Sequence, residues 1–251
     1  MAGYEEAFAR YYDSLTADVD YRAKGEYLKK LAEKHGGRFR LVLDLACGTG
    51  SLAVSLARQG VEVIAVDGSQ EMLAQAMSKS AGLVPPILYL CQEMTGLDLY
   101  GTVDTTLCTL DSLNHLPGKE AIGEVFHRVW LFTEPGGLFL FDMNTPEKHK
   151  NRLGGSTFVR ETQEVCCIWQ NAWDSKNGDN GVLIDLDFFV WEKGDRYRRY
   201  SESFREVAFP QEEIAALLQD TGFELLETRG DYTVAPPGPG EERIVYVARR
   251  R

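Results

Sequence analysis

The 251-residue sequence has no uninterrupted apolar stretch of 18 or more residues, so no membrane-spanning helix is expected. Its opening, MAGYEEAFARYYD, lacks a basic start followed by an apolar run. No secretory signal is expected, and the chain is read as cytoplasmic. Its five cysteines, Cys47, Cys91, Cys108, Cys166 and Cys167, form no C-x-x-C pair and are read as reduced thiols. The four histidines, His35, His115, His127 and His149, fall at no metal-ligand spacing, so no metal is expected. Positive charge is short as well: 27 Lys and Arg stand against 38 Asp and Glu, a net of −11. A duplex-binding surface needs clustered cations to displace counterions. Only DRYRRY, from Asp195, and the terminal ARRR are locally basic. A small-molecule partner is therefore expected rather than nucleic acid, on a monomer or homodimer. No internal repeat is visible.

What is present is a 44% hydrophobic chain, enough for a sizeable core. Residues 1–37 read as helical, with Tyr4, Phe8 and Tyr11 spaced to share one stripe. Strand and helix patterns then alternate: strand Leu41–Leu45, helix Ser51–Gln59, strand Val61–Val66, and helix Ser69–Ser80 with Ser69 as its N-cap. Strands Ile87–Cys91 and Val103–Thr109, helix Lys119–Phe132 and strand Leu138–Asp142 follow, the last entered through a Pro135-Gly136-Gly137 turn. Such alternation implies a parallel sheet with crossover helices. From Thr157 to Phe209 the helix period is lost. Three β-rich runs, Thr157–Asp174, Val182–Lys193 and Tyr197–Phe209, are divided by the turn sequences SKNGDNG and EKGDR. Helix Gln211–Asp220 and strands Phe223–Arg229 and Arg243–Arg249 complete the chain.

The glycine turn in LVLDLACGTGSLA carries the first functional question. Gly48, Gly50 and Ala53 fit G-x-G-x-x-G/A, and Asp67 lies 19 residues beyond Gly48, as in dinucleotide sites. Asp44, at the strand end, does not suit two phosphates at a helix N-terminus. It suits S-adenosylmethionine, which has no phosphate and carries an ammonium and a sulfonium against one carboxylate. Asp67 would accept from ribose hydroxyls in either ligand, so Asp44 discriminates and Asp67 does not.

VLDLACGTG followed by VIAVDGSQEMLAQA resembles the first motif and acidic loop of class I S-adenosylmethionine-dependent methyltransferases. The leading aromatics with YYD and DVDY, then LDSLNHL and FDMNTPEK, resemble bacterial small-molecule methyltransferases related to sugar-amine N-methyltransferases and glycine N-methyltransferase. The resemblance implies a Rossmann-like three-layer α/β sandwich. Its sheet would have seven mostly parallel strands, the last reversed, with an antiparallel β insert after the fifth. It implies a helical cap over 1–37, a cofactor-binding core over 38–148 and 210–251, and the insert over 149–209. It also implies that Asp44, Ala46, Gly48 and Gly50 form the methionine-binding turn. Asp67 with Gly68 would meet the ribose; Met72, Gln92, Glu93 and Met94 would surround adenine. Leu110 would lie beside the methionine moiety, and Tyr11 and Tyr21 would close over the cofactor. Ala46 stands where the family has its first glycine.

Methyl transfer from a sulfonium needs alignment and exclusion of water, and a general base where the nucleophile is protonated. His115, after the fourth strand, is read as that base or as a surface or capping histidine. Asn144 and Tyr11 are further catalytic candidates. Asp111 and Asn114 are read as substrate contacts or as turn and cap residues, and Trp169 and Arg205 as substrate contacts in the insert or as packing and surface residues. The expected activity is methyl transfer to a nitrogen or oxygen of a small molecule. The alternatives are an RNA or protein methyltransferase of the same fold, a non-catalytic S-adenosylmethionine-binding protein, and a nicotinamide oxidoreductase.

Overall fold

The computed structural model describes residues 6–251, with side chains from Phe8 onward. Tyr4, expected on the first helical stripe, lies outside the described residues. Two helices open the chain, α1 (Glu6–Leu15) and α2 (Tyr21–Lys34). They replace the single helical region expected over 1–37. The break falls at Thr16–Asp20, where Asp20 caps α2 by accepting from the Ala23 N–H at 2.9 Å.

Alternation then proceeds as β1 (Leu41–Leu45), α3 (Ser51–Ala57), β2 (Glu62–Asp67), α4 (Gln70–Lys79), β3 (Leu88–Cys91), β4 (Val103–Cys108), α5 (Lys119–Phe132) and β5 (Thr133–Asn144). A second run, β6 (Thr157–Glu161), β7 (Val165–Trp173), β8 (Val182–Lys193) and β9 (Arg196–Glu206), precedes α6 (Gln211–Asp220), β10 (Phe223–Gly230) and β11 (Arg243–Arg250). One sheet has seven strands in the order β10-β11-β5-β4-β1-β2-β3. Its strands are parallel except β11, which runs antiparallel to both β5 and β10. The expected fold, with a reversed last strand, is the observed one.

The period of two along the strands sorts side chains to two cores. Leu43, Leu45, Phe139, Phe141 and Tyr246 pack with Ile122, Val125, Phe126 and Val129 of α5 and Ile214 and Leu218 of α6. Phe141 and Tyr246 stack at 4.7 Å between centroids. Val42, Val63, Ala65 and Leu107 pack on the opposite face against Leu28, Leu31 and Ala32 of α2 and Leu52, Ala53 and Leu56 of α3. Asp44, two residues after Val42, falls on that second face, at the strand end near α3. Alternation makes this acid a buried one.

The second sheet, β6-β7-β8-β9, is an antiparallel meander. Val182, Ile184, Leu186 and Phe188 of β8 are buried while Asp185 is exposed, as expected for a strand with one wet face. Helix α1 shares this sheet's core through Tyr11, Phe8 and Leu15, with Phe8 and Phe188 at 5.8 Å. Most boundaries shift by one to three residues, and two regions differ by more. Thr157–Asp174 is two strands and not one, turning at Thr162. Strand β5 begins at Thr133, through Pro135-Gly136-Gly137, with an irregular register against β4. A Cβ on Gly137 would lie 2.8 Å from the Asp104 carbonyl oxygen, so glycine permits that close strand approach. Among the described residues, no helix is long and apolar enough to cross a membrane.

Candidate functional site

The glycine turn joins β1 to α3 through three left-handed residues, Ala46 (φ 58°), Gly48 (φ 54°) and Gly50 (φ 71°). Glycine takes this conformation freely; alanine accepts it at about 1–2 kcal/mol. The Ala46 side chain packs against the α5-side core. The turn is pinned by Cys47 N–H donating to Val66 O at 2.9 Å and Gly50 N–H to Cys47 O at 2.9 Å.

Asp67, at the end of β2, accepts the Gly48 N–H at 2.8 Å on one carboxylate oxygen and the Ser69 N–H at 2.9 Å on the other. Each oxygen keeps acceptor capacity for a ligand, because an ionised carboxylate offers about four lone-pair sites. Burial raises the Asp67 pKa although both N–H bonds oppose it. Asp44 is only 2% exposed, and its Oδ2 has no hydrogen-bond partner. Burial pushes its carboxyl up to about 7, opposed by the Ala53 N–H and reinforced by the charge of Asp67. A buried carboxylate oxygen with nothing to accept from is an unmet demand for a donor.

A cavity of about 400 Å³ opens above this turn, between the carboxyl ends of the strands, α1 and the second sheet. Of the residues expected at a site, Tyr21, Asp44, Ala46, Gly48, Asp67, Gly68, Met72, Met94, Leu110, Asp111, His115 and Trp169 line it. Burial raises the Tyr21 phenol pKa. Gly50 stands outside the lining, against Ala76. Glu93 presses on Gly68, where a Cβ would meet its carboxylate at 2.9 Å. Gln92 is spent on the Asp98 backbone: its amide donates to the carbonyl at 3.1 Å and accepts the N–H at 3.0 Å.

Four expectations need correction on position. Tyr11 is buried with the core of the second sheet, not against the cavity. Asn114 is fully buried and used up: its amide donates to Val207 O at 2.7 Å and Asn144 O at 3.2 Å, and accepts Asn144 N–H at 2.9 Å. Asn144 is buried too, its amide donating to Asp111 Oδ2 at 2.7 Å and accepting Lys148 Nζ at 2.8 Å. Arg205 closes the hairpin turn between β7 and β8, donating to Asp174 Oδ2 at 2.9 Å and Asp179 at 2.8 Å. Accordingly, Arg205→Ala should lower the melting temperature without changing affinity for S-adenosylhomocysteine by calorimetry. A loss of affinity would return Arg205 to the site.

The cavity also takes residues that sequence reasoning missed: Lys148, Phe204, Glu206 and Arg243. Leu110 and Asp111 are consecutive left-handed residues (φ 58° and 53°), and both N–H groups donate to Asp142 at 2.8 Å. Arg243 bridges Asp142 at 2.6 Å and Asp111 at 2.8 Å. Burial alone would raise the Asp111 carboxyl, but Arg243, Lys148 and His115 together hold it below the ordinary range. Burial would likewise lower Arg243, and Asp111 with Asp142 raise it instead. Across the cavity, Asp13 of α1 accepts from Thr49 Oγ1 at 2.6 Å and Ser51 Oγ at 3.1 Å, and pairs with Lys79. These contacts tie α1 to the glycine turn.

A methyltransferase-domain family model matches residues 42–137. YqeM of Bacillus subtilis (strain 168), named as a methyltransferase, is 35% identical over 249 residues, covering 98% of this chain and 96% of that protein. A solved S-adenosylmethionine-dependent methyltransferase from Clostridium acetobutylicum ATCC 824 superposes with a TM-score of 0.86 at 32% identity, covering 97% of this chain and 98% of that one. The glycine/sarcosine N-methyltransferase of Parasynechococcus marenigrum (strain WH8102) is 27% identical over 240 residues, 91% of this chain and 78% of that protein.

Proposed function

The chain belongs to the S-adenosylmethionine-dependent methyltransferases, and from that premise we propose that it transfers a methyl group to a nitrogen or oxygen of a small molecule. The carrying observation is the unpartnered Oδ2 of Asp44 at the cavity floor. An ammonium there supplies the missing donor, and two phosphates do not. Bound, S-adenosylmethionine supplies a sulfonium-activated methyl group. Asp44 holds its ammonium, the Gly48–Gly50 turn receives the methionine and ribose, and Asp67 the ribose hydroxyls. Met72 and Met94 pack the adenine beside Gly68 and Glu93, and Leu110 flanks the methionine.

Residues 38–148 and 210–251 act as the cofactor-binding core, while α1 and the insert over 149–209 wall the acceptor end. A cavity of about 400 Å³ fits cofactor and a small acceptor better than a macromolecule. A relative named for glycine and sarcosine methylation is consistent with an acceptor of that size. At the acceptor end, Trp169, Phe204 and Asp111 orient the acceptor and exclude water, and His115 takes its proton.

S-adenosylhomocysteine at a hundred times its Kd should add ~2.7 kcal/mol to stability. The melting temperature should rise by roughly 5–11 °C at this chain length. NAD should give no shift. A methyl-transfer assay against amines, hydroxyl compounds and amino acids then identifies the acceptor; a shift with NADH and none with S-adenosylhomocysteine would end this reading.

Asp67→Ala should cut affinity for S-adenosylhomocysteine at least about tenfold, since charged hydrogen bonds contribute roughly 1.5–3 kcal/mol. It should also destabilise the protein, because the Gly48 and Ser69 N–H groups lose their acceptor. Calorimetry on Asp67→Asn, which keeps one acceptor oxygen, separates the two effects. Full affinity in both variants would remove Asp67 from the site.

A further inference from the structure

Glu206 ends β9 buried, with a histidine on each carboxylate oxygen. His115 Nε2 lies 3.6 Å from Oε1, and His149 Nε2 lies 3.4 Å from Oε2. Asn144 Nδ2 approaches Oε2 at 3.4 Å. The two histidines differ in setting. The His115 side chain is 20% exposed, lines the cavity and lies 5.0 Å from the Phe204 ring. His149 is 0% exposed and does not reach the cavity.

Hydrogen-bond roles fix where the protons are. His149 Nδ1 stands 2.9 Å from the Asn180 carbonyl oxygen, which can only accept, so Nδ1 carries a proton. Its Nε2 is buried with no hydrogen-bond partner, and a carboxylate oxygen faces it. A bare lone pair in that place would be both unsatisfied and repelled. A second proton on Nε2 turns that repulsion into an attraction across 3.4 Å and makes the pair an imidazolium and a carboxylate. The other Glu206 oxygen, 3.6 Å from His115 Nε2, attracts a proton onto that nitrogen, and this leaves His115 Nδ1 bare.

We propose that Glu206 and the buried His149 are positioning residues for methyl transfer: Glu206 holds His115 in its Nε2–H tautomer, and His149 neutralises Glu206. The inference rests on the reading of the cavity as a methyl-transfer site. As the acceptor nitrogen or oxygen spends its electron pair on the new bond to the methyl carbon, its proton passes to His115 Nδ1. The C–S electron pair stays on sulfur, and the imidazolium later releases the proton to solvent. Glu206 stabilises that imidazolium through Nε2–H. Because His149 already offsets its charge, Glu206 does not hold His115 permanently protonated, and His115 starts each cycle as a base. The other charged groups around His115 and Glu206 include Asp111, Lys148, Arg243 and, across the cavity, Asp67, whose carboxylate feels the His115 charge; Asp111 is engaged by Arg243 and by the Asn144 amide.

The test is ¹⁵N-histidine NMR of the full chain at pH 7.5, with and without S-adenosylhomocysteine. Rings are assigned from spectra of His115→Gln and His149→Gln. Expected are protons on both ring nitrogens of His149 and an Nε2–H tautomer for His115. Glu206→Gln keeps the shape and lacks the charge, so His149 should lose its Nε2 proton. An unprotonated His149 Nε2 in the parent, its persistence as a protonated nitrogen in Glu206→Gln, or an Nδ1–H tautomer of His115 each overturns the proposal. Should Glu206→Gln not fold, the parent spectrum decides alone. No acceptor is needed, so a failed acceptor screen would count against the proposed activity and leave the ring signals to decide the pair.

Discussion

Asp44→Asn is expected to make the unliganded protein more stable and its cofactor site weaker at once. The folded-state carboxyl holds its proton up to about pH 7, against 3.8 ordinarily. Between those limits the folded state binds more protons than the unfolded state, so stability falls as pH rises through this window. Above pH 7 the penalty of burying the ionised group is fully present, on the order of 4 kcal/mol as an upper figure. Asparagine keeps the acceptor toward the Ala53 N–H and removes the charge. Near pH 8 the variant should therefore melt higher, by up to roughly 8–16 °C. The difference from the parent should shrink as pH falls toward 5. Affinity for S-adenosylhomocysteine should drop about 10- to 100-fold, the size of a lost charge-assisted contact to an ammonium. In the parent, affinity should rise from pH 6 to pH 8 as Asp44 ionises, and in the variant this part of the dependence should vanish. A variant less stable than the parent near pH 8, or one that binds with full affinity, would mean that Asp44 is a structural acid and no ligand contact.

That prediction turns on a residue legible in the sequence. The glycine turn, Asp44 before it and Asp67 after it follow from local pattern: a strand end, left-handed positions and a second strand end. The alternation of strands and helices followed in the same way, because period two and period 3.6 are local signals, and α5 and α6 keep the bounds those signals give; the seven-stranded order with its reversed last strand came from the resemblance. The break at Thr162 carried no glycine or proline. There the threonine hydroxyl itself makes the turn, accepting the Val165 N–H at 3.1 Å and the Glu164 N–H at 3.3 Å.

The acceptor end was far less legible, for a physical reason. Its groups come from chain segments joined only by long-range pairing. Asn114 meets Val207, 93 residues away, and Arg243 meets Asp111, 132 residues away. An asparagine in a polar loop next to a strand end looks like a ligand contact until another strand closes over it. Glu206 and Arg243 gave the opposite error. Each reads as an ordinary charge at a strand terminus, and only the β5–β11 register, which sets Arg243 opposite Asn144, brings Arg243 to Asp111 and Asp142.

The largely buried position of Arg243, its side chain 13% exposed and paired with the fully buried Asp142, makes its replacement the most damaging change expected here. Asp142 is 0% exposed and accepts from Leu110 N–H, Asp111 N–H, Tyr232 and Arg243, while Asp111 accepts from Arg243 and Asn144. Leu110 and Asp111 adopt left-handed backbone at about 1–2 kcal/mol each, offset by those N–H bonds to Asp142. Arg243→Met keeps most of the volume and leaves the buried Asp142 and the half-buried Asp111 without their shared cation. Breaking a buried pair from one side costs roughly 3–5 kcal/mol, or about 6–20 °C of melting temperature at this size. The pH dependence carries the cause. In the parent, Asp111 is held below its ordinary range, so its stabilising contribution is present above 3.8 and is lost as pH falls toward the lower folded value. In the variant the guanidinium is gone and burial acts with less opposition, so protonation relieves the strain. The stability gap between parent and Arg243→Met should therefore narrow as pH falls from 7.5 toward 4.5. Arg243→Lys should fall between the two, since an ammonium keeps the charge and cannot bridge both carboxylates in the guanidinium's fixed geometry. Affinity for S-adenosylhomocysteine should weaken with the loop, because Leu110 and Asp111 line the cavity. Urea unfolding at the two pH values reads the gap directly. A loss under about 1 kcal/mol, or a gap that widens in acid, would show that Asp142 is held by its backbone N–H groups and Tyr232 without the guanidinium.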